Sequence, residues 1–333
     1  MNFKSYQVVG IFKQKNPGNA LILLVYALAL KFPIFLRPVL PALHREDNYL
    51  YRFILNGLDS FFHNVPIFFS ILTFLLFFTQ ATLFNRIFNY QKLLPKATFL
   101  PGMSYMLVSS LLPDWNHFSA PLLVNSLMIW IWYRMISLYN NTRPDPAIFN
   151  IGVLTGVATL LYIPAMFFLL LVFFALWIMR PFRLRETMMG LLGFTFPYYF
   201  LFIVLFITNH WSWKSMIPSI SVTLPGIPHS FWITLGIILL VVPFMIGGYF
   251  VQGNLNKMLI QVRKSWSLSL LFLMVSVFVI LINRADFYEN WIVTAVPFAA
   301  FHAAAYYYAP NKWIPQILQW GSLIYVLWMN YIH

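Results

Sequence analysis

Residues 148–179 run for thirty-two positions without a charged side chain, and long uncharged stretches recur along the whole chain. A helix needs about 20 mostly apolar residues to cross the hydrocarbon core of a bilayer. A chain built from many such stretches cannot hide them in one water-soluble core. The composition agrees, with 61% hydrophobic, 20% aromatic and only 9% charged residues. The expected fold class is therefore all-α, a polytopic transmembrane helical bundle. No polar stretch is long enough to fold independently, so residues 1–333 are expected to form a single integral-membrane domain.

Hydropathy places spans at about 18–36, 65–84, 97–113, 119–138, 148–163, 165–179, 188–208, 230–249, 268–283, 291–308 and 314–331. That makes about eleven, with the N-terminus inside and the C-terminus outside. The first run has no convincing cleavage site and reads as a retained span. The segment 148–179 is long for one helix and short for two. Tyr162-Ile163-Pro164 sits at its middle, and proline restricts the residue before it, so a turn there is expected.

Charge counting arbitrates. With a hairpin at 148–179, fifteen Lys/Arg fall inside and five outside, with Lys31 within the first span. With a single span the tally is ten against ten. The hairpin keeps cytoplasmic loops basic, as orientation requires, and is preferred. The same rule explains the net charge of +13 without a nucleic-acid partner, because the basic residues are scattered through short loops. The chain has no cysteine, which removes disulfides and thiolate chemistry.

The acids sort the other way. Glu46, Asp47, Asp59, Asp114, Asp286 and Glu289 fall outside, and only Asp145 and Glu186 inside. His44, His63, His117, His210, His229 and His333 also fall outside, with His302 in a span. Outer loops need some polar residues in any case. A face that gathers titratable groups is nevertheless where chemistry is expected.

Three outer loops offer candidates. In the first, His44-Arg45-Glu46-Asp47 precedes an amphipathic stretch over about 48–63 that reads as an interfacial helix. Adjacent carboxylates raise one another's pKa, which suits Glu46 or Asp47 to general-base work or to gripping a divalent ion. Arg45 and His44 could hold a phosphate or diphosphate. In the second loop, Asp114 and His117 offer oxygen and nitrogen ligands, although Asp114 equally suits a helix cap or a turn beside Pro113. In the third, 209–229, Lys214 lies in a segment whose prolines and aromatics suit a lid over an outer cavity. Asp286 and Glu289 form a fourth, small acidic loop. Within the spans, Lys31 reads as snorkelling to outer headgroups or neutralising a lipid phosphate. Gln80, Asn85, Asn125 and His302 read as hydrogen-bond glue between helices.

This layout resembles the membrane module of the GT-C glycosyltransferases, the polyprenyl-phosphate-sugar-dependent family that includes oligosaccharyltransferases and protein mannosyltransferases. The likeness rests on acids at the start of the first outer loop (Glu46, Asp47), the interfacial helix after them, Asp114 in the second outer loop, and Asn150-x-Gly152-x-x-x-Gly156 leading into Tyr162-Ile163-Pro164. It covers roughly residues 15–210, leaving 211–333 as additional spans. The second loop has one acid where metal-using members usually have two. The chain is also similar to multi-pass inner-membrane proteins of Bacteroidota-type bacteria, with Arg180-Pro181-Phe182-x-x-Arg185-Glu186 as the reminder.

The resemblance implies an enzyme of the bacterial inner membrane acting on a polyprenyl-phosphate-linked sugar at the outer face. It gives Glu46 or Asp47 the role of base or metal ligand and Asp114 that of helping to hold a divalent metal ion; beside it, the residues themselves offer His117 as a further ligand and Arg45 or Lys214 to steady the phosphate. The competing expectations are a transporter subunit or scaffold of an envelope assembly, and a lipid flippase.

Overall fold

In a computed structural model the described residues are 8–14, 16, 18–62, 65–209, 230–281 and 288–331. Among them there is no strand. The chain runs as α1 (Val8–Phe12), α2 (Asn19–Lys31), α3 (Pro33–Leu36), α4 (Tyr49–Phe62), α5 (Pro66–Tyr90), α6 (Leu100–Val108) and α7 (Ala120–Ile136). It continues as α8 (Asp145–Leu161), α9 (Phe168–Met179), α10 (Leu184–Ile207), α11 (Phe231–Asn254), α12 (Ile260–Leu281), α13 (Ala295–Tyr308) and α14 (Trp313–Tyr331). Short 3-10 turns lie at Pro113–Trp115, Ile163–Phe167, Leu255–Lys257 and Tyr288–Thr294.

This is an all-helical membrane protein. Among the described residues four helices are long and apolar enough to cross a bilayer: Pro66–Tyr90, Leu184–Ile207, Phe231–Lys257 and Ile260–Leu281. Each of the eleven expected segments carries a helix, but several are shorter than a crossing needs. The stretch expected at 97–113 holds only α6, nine residues and about 13 Å long, against a hydrocarbon core of about 30 Å. All nine residues of α6 are buried. Its chain continues as irregular backbone through Ser109–Leu112, also buried. Irregular backbone at such depth is tolerated only inside protein, where its polar groups find partners. Here they do: the carbonyls of Ser109 and Ser110 accept hydrogen bonds from Lys31 and Asn330.

The break expected inside 148–179 is present. Tyr162 is extended between α8 and the Ile163–Phe167 turn. The packing of α10 fixes the chain direction. Gly152 would meet Gly190, Gly193 and Phe194 if it bore a Cβ, and Gly156 would meet Phe194 and Pro197. Residue numbers rise together on the two helices, so α8 and α10 run parallel. The segment between them, 163–179, must therefore run back. The glycines let two backbones touch, which is how helices associate where apolar solvent supplies no driving force. They are a packing seam, a role the GT-C resemblance did not give them. In α11, Gly247 similarly meets Phe301 and Ala305 of α13.

Polar side chains inside the bundle join helices as expected. Gln80 donates to the Leu122 carbonyl, Tyr105 donates to Gln80, and Asn125 donates to Tyr105, linking α5, α6 and α7. Asn85 accepts from the Gly102 amide, and His302 bonds the Leu240 carbonyl.

The hydrogen bonds sort the loops into two ends. At one end Phe99 bonds Phe12, Asn89 bonds Thr98, and Lys13 reaches the Tyr307 carbonyl. There too Gln91 joins Ser137 and Gln261, and Arg180 reaches Leu138 and Asn141. The two acids at this end are paired with arginines: buried Glu186 with Arg180, and Asp145 with Arg185. At the other end lie the His44–Asn48 turn, the 109–119 loop, the junction at Tyr162, the Tyr288–Thr294 turn, and the facing ends of α11 and α14.

Candidate functional site

The His44–Asn48 turn is clamped onto the α8 junction. Asn48 donates its amide to the Leu161 carbonyl at 3.1 Å, and Ile163 donates to the Glu46 carbonyl at 2.9 Å. A one-residue antiparallel bridge thus pairs Asp47 with Tyr162. Inside the turn, the His44 amide donates to Asp47 Oδ2 at 2.7 Å, and the His44 ring lies 3.9 Å from the same oxygen. Arg52, one turn into α4, donates to the carbonyls of Asp47 and His44. Asp47 is buried, Glu46 is half-buried and Arg45 is exposed. The two carboxylates read as a pair thus differ. Asp47 is built into the turn, and Glu46 lends its backbone.

The 109–119 loop docks beside it. The Trp115 indole donates to the Tyr288 carbonyl at 2.8 Å, tying Pro113–Trp115 to the Tyr288–Thr294 turn. Ser119 caps α7 by accepting from the Leu122 amide, and its side chain acts on Glu289, holding that carboxyl's pKa down. Tyr51 of α4 donates to the Phe118 carbonyl and stacks on the Phe118 ring. These contacts bring Asp47, Asp114 and Glu289, from three separate loops, within electrostatic reach of one another.

The carboxyls record the crowding. Burial pushes Asp47 up to about 6, with Glu46 adding to the rise and His44 and Arg52 opposing it. Burial pushes Glu289 up to about 7, assisted by the charges of Asp47 and Asp114 and resisted by His44 and Ser119. Asp114 is raised by burial against the pull of His117. His117 is lowered by burial and by the charge of Lys31, with Asp114 opposing.

A cavity of about 410 Å³ opens at this end between α3, the Pro113–Trp115 turn, the start of α11 and the end of α14. Its polar wall is formed by Arg37, Asp114, Asn116, His117 and Asn330, and apolar residues such as Ile34, Val39 and Met329 complete it. Behind the wall sits Lys31. It does not snorkel, contrary to the reading of the first span. It is fully buried and donates to the Ser109 carbonyl and to Asn116 Oδ1, each at 2.7 Å. The buried 109–112 backbone draws it inward, because that backbone needs donors that the hydrocarbon cannot supply.

Of the residues singled out from the sequence, Asp114 and His117 share the cavity. Asp47 stands nearby in the clamped turn, Glu46 and Arg45 lie at its edge, and Lys214 lies outside the described residues. Sequence reasoning gave no role to Arg37, Asn116, Asn330 or Glu289. Asp114 and His117 bring one carboxyl and one imidazole to the cavity wall, fewer protein donors than the three of a catalytic zinc site. Among the described residues no group of three or more His, Cys, Asp or Glu side chains could hold a metal ion.

Residues 49–333 match the model of a family described as "Family of unknown function (DUF6427)", and the chain belongs to that family. No curated protein matches the chain, and no solved structure does.

Proposed function

We propose that this DUF6427 member is a membrane-embedded transferase that takes a sugar from a polyprenyl-phosphate carrier at the outer face of the bacterial inner membrane. The observation behind it is the convergence of Arg37, Asp114 and His117 on one cavity at the acid-bearing end. The apolar part of the wall, with Ile34 of α3 and exposed Val39 just beyond it, suits the first prenyl units. Arg37 suits the phosphate, which a guanidinium binds through paired hydrogen bonds.

In this reading the acceptor hydroxyl oxygen attacks the anomeric carbon of the sugar. The bond from that carbon to the phosphate oxygen breaks, and its electron pair leaves with the phosphate. The hydroxyl proton passes to the Asp114–His117 pair, in which burial keeps the imidazole neutral and able to accept. The roles first given to Glu46 or Asp47 and to Arg45 or Lys214 thereby move to the cavity wall. Asp47 and Glu289 instead shape the field around it. The same reading has the chain cross the membrane about eleven times, basic end in the cytoplasm, with α4 lying in the outer interface.

A flippase would want a continuous polar path. Lys31, Asn125 and His302 instead take part in separate contacts, with Ser109 and Asn116, with Tyr105, and with Leu240 respectively. The experiment is glycolipid profiling of cells carrying Arg37→Gln, Asp114→Asn or His117→Ala at normal protein levels. Each is expected to lower one glycosylated product by roughly 100-fold, the usual scale for loss of an acid–base group. Unchanged profiles in all three would end the proposal.

A further inference from the structure

Lys31 closes α2 within the bundle, and its contacts leave its charge unanswered. Its nitrogen lies against the Ser109 carbonyl, Asn116 Oδ1 and the face of the Phe77 ring, the last at 3.7 Å from the centroid. All three partners are neutral. Among the described residues no carboxylate lies within ion-pairing distance of it. A neutral donor would satisfy Ser109 equally well, so hydrogen bonding alone gives no reason for an amine. The ring face favours an N–H pointing at it over a lone pair, which is the ammonium arrangement.

That charge reaches the cavity. The Asn330 amide nitrogen donates to the carbonyls of Ser110 and Val326, which turns its oxygen toward Asn116. The Asn116 amide nitrogen donates to that oxygen at 2.9 Å, so its own oxygen faces Lys31. Asn116 thus holds its oxygen on Lys31 while lining the cavity, and Lys31 acts electrostatically on His117 of the same wall. Arg37 and Lys31 bring two basic groups to the site, against the single carboxyl of Asp114 among the lining residues. An anion seated there would relieve a buried charge that is costly while unpaired.

We propose that Lys31 is the buried counter-charge of this cavity, acting through Asn116, and that it makes the cavity select the phosphate of a lipid headgroup over the corresponding neutral alcohol. Lys31 is thus a positioning residue. The inference rests on the transferase reading only for the carrier's chemistry and concerns binding alone.

The test uses the full chain in phosphatidylcholine nanodiscs, with farnesyl phosphate, farnesol and inorganic phosphate as probes. Farnesyl phosphate is expected to bind at least tenfold more tightly than farnesol. Lys31→Met is expected to reduce that preference below threefold. Because Lys31→Met leaves Ser109 without its donor and can unfold the chain, Asn116→Asp provides the second variant. It gives the ammonium a carboxylate partner, so the protein is expected to melt no lower than wild type while its preference also falls below threefold. Retention of the tenfold preference in a folded Asn116→Asp protein would overturn the proposal. So would equal binding of phosphate and alcohol by wild type. Inorganic phosphate binding as tightly as farnesyl phosphate would overturn the lipid headgroup as the source. A tenfold preference with no sugar transfer would sink the transferase reading and leave this one standing.

Discussion

Asp47 and Glu289 hold their protons to about pH 6 and about pH 7, well above an ordinary carboxyl at about 4. An acid whose pKa is raised by folding binds its proton more tightly in the folded state. Its contribution to stability is therefore complete below about pH 4 and is lost as the pH rises through the folded values. The detergent-solubilised protein is expected to melt roughly 2–5 °C higher at pH 5 than at pH 8. The double variant Asp47→Asn, Glu289→Gln is expected to flatten that slope. A melting temperature that climbs with pH across this range would show that these groups are ionised and paired instead. The sequence made some of this legible. Counting charges by side placed Asp47, Asp114 and Glu289 on one face, and the second loop offered Asp114 and His117, which line one cavity. It did not connect Glu289 or Arg37 to them, because the contact between the 113–115 and 288–294 turns spans more than 170 positions of sequence. Lys31 was misjudged for a related reason. Snorkelling is the default for a lysine near a helix end, and only the irregular backbone at 109–112 gives it a better partner.

At the scale of helices, the α8–α10 seam is a close contact between backbones, and its cause is local. A Cβ on Gly152 would run into the Gly190 carbonyl and the Phe194 amide, atoms that cannot swing aside. Gly152→Leu is therefore expected to abolish a folded, monodisperse product in size-exclusion chromatography. Gly57→Ala, where nothing lies within 4 Å, is expected to behave as wild type or gain slightly from the better helix former. Equal yields from the two would contradict the seam. Helix positions were readable from hydropathy, and so was the break at Tyr162. Helix lengths were less so. A buried helix such as α6 is as apolar as a spanning one, and hydropathy cannot tell protein from lipid as the apolar surroundings.

Over the whole molecule, one end gathers basic loops and seals its acids in arginine pairs, while the other brings three carboxyls and a cavity together. The proposed topology puts the first in the cytoplasm, following the positive-inside rule. Site, substrate access and headgroup selection all presuppose that the cavity end faces outward. Because the chain has no cysteine, single thiols can be introduced without background. The decisive measurement is labelling of Arg45→Cys and Arg183→Cys in intact spheroplasts with a membrane-impermeant maleimide. Arg45→Cys is expected to label at once, and Arg183→Cys only after permeabilisation. Labelling of Arg183→Cys alone in intact spheroplasts, or of both equally, would contradict the account.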